Sequence, residues 1–322
     1  MKKNNCDVSI VIVCMNNLKM LYPCLDSIRR YTTVNYETLV VAFMFSKENL
    51  AKLREDYPWV TIIESNEYRG FSENNNLALR QAKGRYCFVL NDDTYHNEPV
   101  IDELVNRFDT LPDDVAILSP NVCRPDGTIQ HCGRPIINVW TYFLDCLSLF
   151  GRYEKKSKYC HQKGLFQSYN IHGACFMIKT DVFEQYGWFD EWYYFCPEDI
   201  ALSTHLNRDG YRCLVDSDIR ITHVGGGTWS KTLVATKPAS IRGERDFYGE
   251  DGWWAKILFV IFSTAIHLLR YIYWTTIGLL KETSKRKFMM DSNLHALVAT
   301  YSSKSPKELF IRYYEELKRN YK

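Results

Sequence analysis

Residues 8–14 read VSIVIVC, an uncharged run of small and apolar residues in which five of the seven are β-branched. A strand with one wet face alternates polar and apolar side chains. A run without alternation belongs to a strand buried on both faces, as in a parallel sheet covered by helices. Working outward, Asn16 and Asn17 break the run, and Leu21, Leu25 and Ile28 then recur at helical spacing. Residues 39–45 and 60–63 are a second and third apolar run. Residues 71–82 carry a helical pattern that stops before Gly84, and residues 86–90 make a fourth strand. Strands alternating with helices at this spacing predict an α/β fold with a doubly wound, mainly parallel sheet. Past Pro120 the pattern loses regularity. Residues 171–179 (IHGACFMIK) read as one more strand and residues 197–207 as a helix, with Pro197 near its start and Gly210 beyond its end. Residues 231–251 read as a polar connector.

The 322 residues, 46% of them hydrophobic, suffice for one large domain and an extension. A net charge of +2 gives no reason to expect a nucleic-acid partner. The charge is unevenly spread. Residues 255–322 hold 12 Lys and Arg against 5 Asp and Glu, a net of +7, so residues 1–254 carry −5. The eleven cysteines are odd in number, show no CxxC pair and often sit inside apolar runs, which fits reduced thiols in the cytoplasm better than a disulfide framework or a zinc site. Residues 1–7 are polar and run straight into the first strand, without the apolar core of a signal peptide.

Ligands of open parallel sheets bind beyond the carboxyl ends of the strands. Met15, Asn16 and Asn17 follow the first strand, Glu64, Ser65 and Asn66 the third, and Asn91, Asp92, Asp93 and Thr94 the fourth. Adjacent carboxylates at a strand end repel one another. A hard divalent cation such as Mg²⁺ or Mn²⁺, shared with a substrate diphosphate, would balance them; an Asx-turn that merely ends the strand accounts for the pair equally well. Glu198 and Asp199 open a helix, where the macrodipole favours negative charge, and capping alone explains one of them. His223 precedes a glycine run, which suits either a metal ligand or a structural histidine beside a loop. Taken in order, these three features form a constellation.

That constellation resembles the inverting glycosyltransferases of family 2, which have the GT-A fold, and looks nearest to their rhamnosyltransferase-like branch. The segments that carry the resemblance are 8–17 (VSIVIVCMNN), 66–76 (NEYRGFSENNN), 90–94 (LNDDT), 173–191 (GACFMIKTDVFEQYGWFDE), 197–202 (PEDIAL) and 223–230 (HVGGGTWS). The resemblance implies a nucleotide-sugar donor, a UDP- or dTDP-sugar, and a glycan or lipid-linked acceptor in bacterial surface polysaccharide or glycolipid assembly. It implies that Asp93 holds Mg²⁺ or Mn²⁺ with the donor diphosphate, that Asp92 lies near the ribose or the metal, and that Asn91 is an auxiliary contact in place of the usual acid. Asp199 takes the position of the catalytic base with Glu198 in reserve, and His223 that of a metal or diphosphate ligand. Met15 and Asn16 would line the nucleotide base, and Asn66, Gly70, Phe71 and Asn75 the nucleotide and diphosphate. Asp190 and Glu191 lie near enough in sequence to contact the acceptor. One departure stands out: the turn after the second strand, Asp-rich in the family, reads AFMFS over residues 42–46.

On this reading residues 1–232 are the catalytic domain and 233–322 a connector and a basic, aromatic-rich extension. Residues 257–266 are free of charge, but His267 and Arg270 interrupt the stretch before residues 271–280, and Trp253, Trp254, Lys281 and Lys285 flank it. The pattern suits amphipathic helices lying on the inner leaflet of the cytoplasmic membrane, with the enzyme peripherally attached; a span, a lid or an oligomer contact are the other arrangements it allows. A nucleotide-sugar-binding or membrane scaffold subunit without turnover is the alternative function, favoured by Asn91 alone.

Overall fold

The structure, a computed structural model, describes residues 6–130, 133–147, 159, 162–225, 229–276 and 283–320, without the side chains of 229, 230 and 283. The chain divides into two compact units. One comprises Met1–Ile136, Glu154–Asp190 and Asp199–Gly225; the other comprises Ile137–Tyr153, Glu191–Glu198 and Gly226–Lys322.

The first unit is built on a sheet. Strands β1 (Val8–Met15), β2 (Tyr36–Phe43), β3 (Thr61–Ser65) and β4 (Tyr86–Asn91) run parallel in the order β3-β2-β1-β4. Helices α1 (Leu18–Tyr31), α2 (Lys47–Asp56) and α3 (Phe71–Leu79) join them. Val8, Ile10, Val11 and Ile12 are fully buried, so β1 lies between two covered faces, as its unbroken apolar run requires. A short β5 (Thr94–Tyr95), helix α4 (Val100–Phe108) and strand β6 (Val115–Cys123) follow, and β6 is buried along its whole length.

Beyond β6 come β7 (Gly133–Arg134), the helix α5 (Val139–Cys146) of the second unit, β8 (Leu165–Ser168), β9 (Asn170–Ile171) and β10 (Cys175–Lys179). Helices α6 (Thr180–Gln185) and α7 (Glu198–Arg208) lead to β11 (Arg212–His223). Strand β10 inserts antiparallel between β4 and β6, and the main path is completed as β3-β2-β1-β4-β10-β6-β11-β5, with β8 paired to β11.

The expected α/β fold with a mainly parallel sheet is thus met, with local differences. Residues 171–179 are not one strand. Ile171 pairs with Gly133 in a separate two-stranded sheet, and the 172–174 turn intervenes before β10. Strand β2 starts three residues earlier and ends two residues earlier than its apolar run. The helix at 47–56 gave no amphipathic signal because it buries only Leu53.

In the second unit α8 (Trp229–Gly249), α9 (Trp253–Thr275), α10 (Thr283–Tyr301) and α11 (Pro306–Asn320) form a helical assembly, with α8 packed against the other three. Residues 231–251 are therefore mostly helix, not a connector. Thr236, Ser240 and Arg242 are buried in α8 beside Val234, Ala235 and Ala239. A helix enclosed by neighbours that also buries polar groups shows no single apolar stripe, which is why it reads as a polar linker.

Candidate active site

Because β1 to β4 are parallel, their carboxyl ends share one edge. The register sets Met15 beside Phe43 and Phe43 beside Ser65. Met15 is 37% exposed there. Asn16 takes a left-handed backbone with φ of 51°, which asparagine tolerates better than most residues. Its Oδ1 accepts from the Ser46 N–H at 3.0 Å and from Asn49 Nδ2 at 2.9 Å. Asn16 therefore braces the turn at 42–46 where an Asp was missing. Asn66 is exposed at the end of β3. Gly70 and Phe71 begin α3, and the Glu73 carboxylate accepts from the Gly70 N–H at 3.0 Å. Asn75 is buried and donates back to the Phe71 carbonyl at 2.9 Å. Its neighbours are structural. Asn74 accepts from the Ser65 hydroxyl and donates to the Arg69 and Gly70 carbonyls, and Asn76 clamps the Phe189 backbone through both its amide atoms.

At the end of β4 the chain turns through Asn91, Asp92 and Asp93 into β5, which pairs with the end of β11 so that Thr94 stands opposite His223. This pairing brings together residues 129 positions apart. Asp93 Oδ1 lies 3.1 Å from His223 Nε2, and Asp93 Oδ2 accepts from the Gly225 N–H at 3.0 Å. Asn91 Nδ2 is 3.4 Å from the same Nε2. His223 Nδ1 meets Gln130 Oε1 at 2.9 Å; with that oxygen as acceptor Nδ1 carries a proton, and Nε2 faces Asp93, donating to it when protonated and open to a cation when that proton is gone. Burial raises the Asp93 pKa, but the His223 hydrogen bond and charge, with the Gly225 N–H, outweigh it and hold the carboxyl below its ordinary range. Asp92 differs: burial, with the Asp93 charge adding to it, lifts its carboxyl to about 6 against the opposing hydrogen bond from the Cys14 thiol. The two adjacent acids are thus tuned apart.

The fit to a divalent cation rests on this donor set. One carboxylate oxygen and one imidazole nitrogen lie 3.1 Å apart, a pair of donors between which a bound cation would take the place of the proton. Gln130 supplies the outer hydrogen bond that metal-bound histidines usually make. Among the described residues no group of three or more His, Cys, Asp or Glu side chains is placed to hold an ion, so other ligands would come from donor and water.

Asp199 reaches the same edge through the 172–174 turn. The Ala174 carbonyl accepts from the Asn91 N–H at 2.9 Å, and the Gly173 N–H donates to Asp199 Oδ2 at 2.8 Å. Asp199 Oδ1 accepts from the Ile200 N–H, also at 2.8 Å. A Cβ at Gly173 would come within 3.2 Å of Asp199 Oδ2, so the glycine permits this approach. Glu198 is buried and Asp199 only half-buried, which leaves Asp199 the more accessible carboxylate. Sequence reasoning missed Gln130, Gly173 as the support of Asp199, and His172, whose ring lies 6.1 Å from that of His223. Gly226 and Gly227 of the glycine run lie outside the described residues.

The O-antigen biosynthesis protein RfbC of Myxococcus xanthus is 26% identical over 223 residues, 67% of this chain but 17% of its own length. An uncharacterized glycosyltransferase of Rickettsia prowazekii, RP339, is 25% identical over 184 residues, 57% of this chain and 54% of its own. The chain thus spans about half or less of the curated relatives it matches. Among solved structures, the mannosyltransferase PcManGT of Pyrobaculum calidifontis, in complex with GDP-Man and Mn²⁺, superposes with a TM-score of 0.51 at 16% identity, over 98% of this chain and 81% of that one. GalNAc-T7 with UDP, GalNAc and Mn²⁺ gives 0.56 at 16% identity, over 99% of this chain and 59% of that one. At such identity these two establish the fold. The family model described as glycosyl transferase family 2 matches residues 9–187, more than half of the chain, and the chain belongs to that family.

Proposed function

We propose that this chain is a metal-dependent, inverting glycosyltransferase. It would move a hexosyl or rhamnosyl unit from a UDP- or dTDP-sugar to a hydroxyl of a glycan or lipid-linked acceptor, in bacterial surface polysaccharide or glycolipid assembly. The observation that carries the reading is the meeting of Asp93 and His223 at the strand ends, with Gln130 fixing the imidazole. The O-antigen relative and the two neighbours solved with nucleotides and Mn²⁺ support it.

Displacement at an anomeric carbon builds negative charge on the departing nucleoside diphosphate. Asp93 and His223 would hold Mg²⁺ or Mn²⁺, which when bound supplies positive charge where that negative charge develops. Asn91 is an auxiliary polar contact, and Asp92 faces the ribose or the metal. Met15 and Asn16 border the nucleotide base, and Asn66, Gly70, Phe71 and Asn75 line the path of the nucleotide and diphosphate. Asp199, oriented by the Gly173 and Ile200 N–H groups, takes the acceptor hydroxyl proton as general base, with Glu198 in reserve. Attack from the face opposite the leaving group inverts the anomeric centre. Residues 1–232 form the catalytic domain in this reading, and 233–322 attach it peripherally to the cytoplasmic face of the inner membrane.

A panel of UDP-, dTDP- and GDP-sugars with Mn²⁺, read by thermal unfolding, tests the donor assignment. A ligand at a hundredfold excess over its Kd stabilises the folded state by about 2.7 kcal/mol. One nucleotide class should raise the transition well above the others. If none does, the donor assignment is wrong.

A further inference from the structure

The helical unit distributes polarity in an unusual way. Helix α9 has two charged residues in 23, Lys256 and Arg270, and both are engaged by the protein. Lys256 faces Asp246 at 3.8 Å, and Arg270 donates to the Cys146 carbonyl at 3.0 Å. Ser263 and His267 are buried on that same side, bonded to Thr300 and Asn293 of α10. The opposite side of α9 exposes Trp254, Ile257, Ile261, Leu268 and Ile272, an i, i+3, i+7, i+14, i+18 series with no charge along about 27 Å of helix.

The flanking helices widen this face. Phe143 of α5 stacks on Phe262 at 4.3 Å, and Trp140, 5.6 Å from the same ring, is 53% exposed. On the other flank the Tyr301 hydroxyl of α10 meets Thr264 at 2.7 Å, and Leu294, Val298 and Tyr301 are exposed along α10. The exposed apolar side chains thus come from three packed helices, and a patch of this kind marks an interaction surface.

We infer that the α5–α9–α10 face is a docking surface for an anionic phospholipid bilayer, with α9 lying in the membrane plane and not across it. This rests on the membrane reading above and is independent of the transfer chemistry. By length and composition α9 could cross a bilayer. Crossing would strip the partners from Arg270, His267 and Ser263, whereas lying flat leaves them in place and buries only the outer row. Charge selects the occupant. Residues 255–322 carry a net +7, and exposed Lys285 and Lys287 stand beside Arg286, which caps the Trp274 and Thr275 carbonyls at the end of α9. A second copy would set these basic side chains against their own kind, whereas an anionic leaflet neutralises them.

The test is co-flotation of the full chain with phosphatidylglycerol–phosphatidylethanolamine vesicles and with phosphatidylcholine vesicles, alongside turnover on a water-soluble acceptor. The wild type should float with the anionic vesicles at least tenfold better than with the neutral ones, and alkaline carbonate should release it. Ile261→Glu with Leu268→Glu should lower flotation at least tenfold while leaving turnover and the thermal transition unchanged. Ile261→Ser serves if the double variant folds poorly, with the same direction expected. Wild-type flotation by the folded variants, retention through carbonate, or a dimer that ignores vesicles and dissociates on substitution would each overturn the inference. Loss of turnover in the wild type with flotation intact would count against the transferase reading alone.

Discussion

In the sheet unit Val11, Ile12, Val41 and Phe88 fill the interior, and Asn91, Asp92, Asp93 and His223 gather where the strands stop. In the helical unit Ser263, His267, Asn293 and Thr300 lie inside, while Ile257, Ile261, Leu268 and Val298 face out. The first distribution has an apolar interior and gathers polar side chains where the strands stop. The second suits a body with protein on one side and lipid on the other. The polar groups set apart in the sheet unit are therefore those at its open strand ends, whereas those of the helical unit lie within its packing.

The comparison is broken most sharply at Asp199. If strand-edge polarity is chemical, Asp199→Asn should keep the fold and lower turnover by about 10²- to 10⁴-fold, with donor binding nearly unchanged because the base acts on the acceptor. Glu198→Gln should do less. Steady-state rates and calorimetry with nucleotide on both variants separate this from a helix-capping role, which would cost about 1 kcal/mol of stability and preserve turnover.

A smaller effect compares the interiors directly through pH. Burial pushes His96 of the sheet unit down to about 4. Burial, with repulsion from Lys237 and Arg270, pushes His267 of the helical unit down to about 3. Both folded values lie below the ordinary value near 6.5, so the unfolded chain takes up protons that the folded chain refuses. Stability is full above about pH 6.5 and declines as the pH falls toward 4, by at most about 3 to 5 kcal/mol per histidine at 1.36 kcal/mol per pH unit. Unfolding midpoints of His96→Asn and His267→Asn between pH 4 and 7 should decline less steeply than those of the wild type. Parallel curves would mean that neither ring is held neutral.

How legible these features were in the sequence follows from the same physics. Strands β1 and β4 announced themselves because burial on both faces excludes polar residues for a whole run. The acid pair and His223 were readable as candidates because they follow or end such runs. Helix α8 was not readable, since a helix enclosed on all sides lacks the stripe that marks an amphipathic one. Gln130 carried no signal: a single amide in the RPDGTIQ loop gains its role only when β11 brings His223 within 2.9 Å. Gly173 was read as part of a strand over residues 171–179, and its support of Asp199 was hidden because that contact spans 26 positions. The asparagine run at 74–76 reads as a single motif, yet each of its three amides holds backbone, Asn74 that of Gly70, Asn75 that of Phe71 and Asn76 that of Phe189.

The central claim is that Asp93 and His223 form the cation-assisted heart of a transferase. Release of nucleoside diphosphate, followed as Mn²⁺ is titrated into chelator-stripped protein with donor and acceptor, tests it most directly. Wild-type protein should be inactive in excess EDTA and regain turnover with Mn²⁺. Asp93→Ala should remain folded, since the residue sits at a strand end, and stay at least about 10²-fold slower at every metal concentration, the usual cost of losing one group that stabilises a developing anion. Full wild-type turnover in EDTA, or undiminished turnover in Asp93→Ala, would contradict the account.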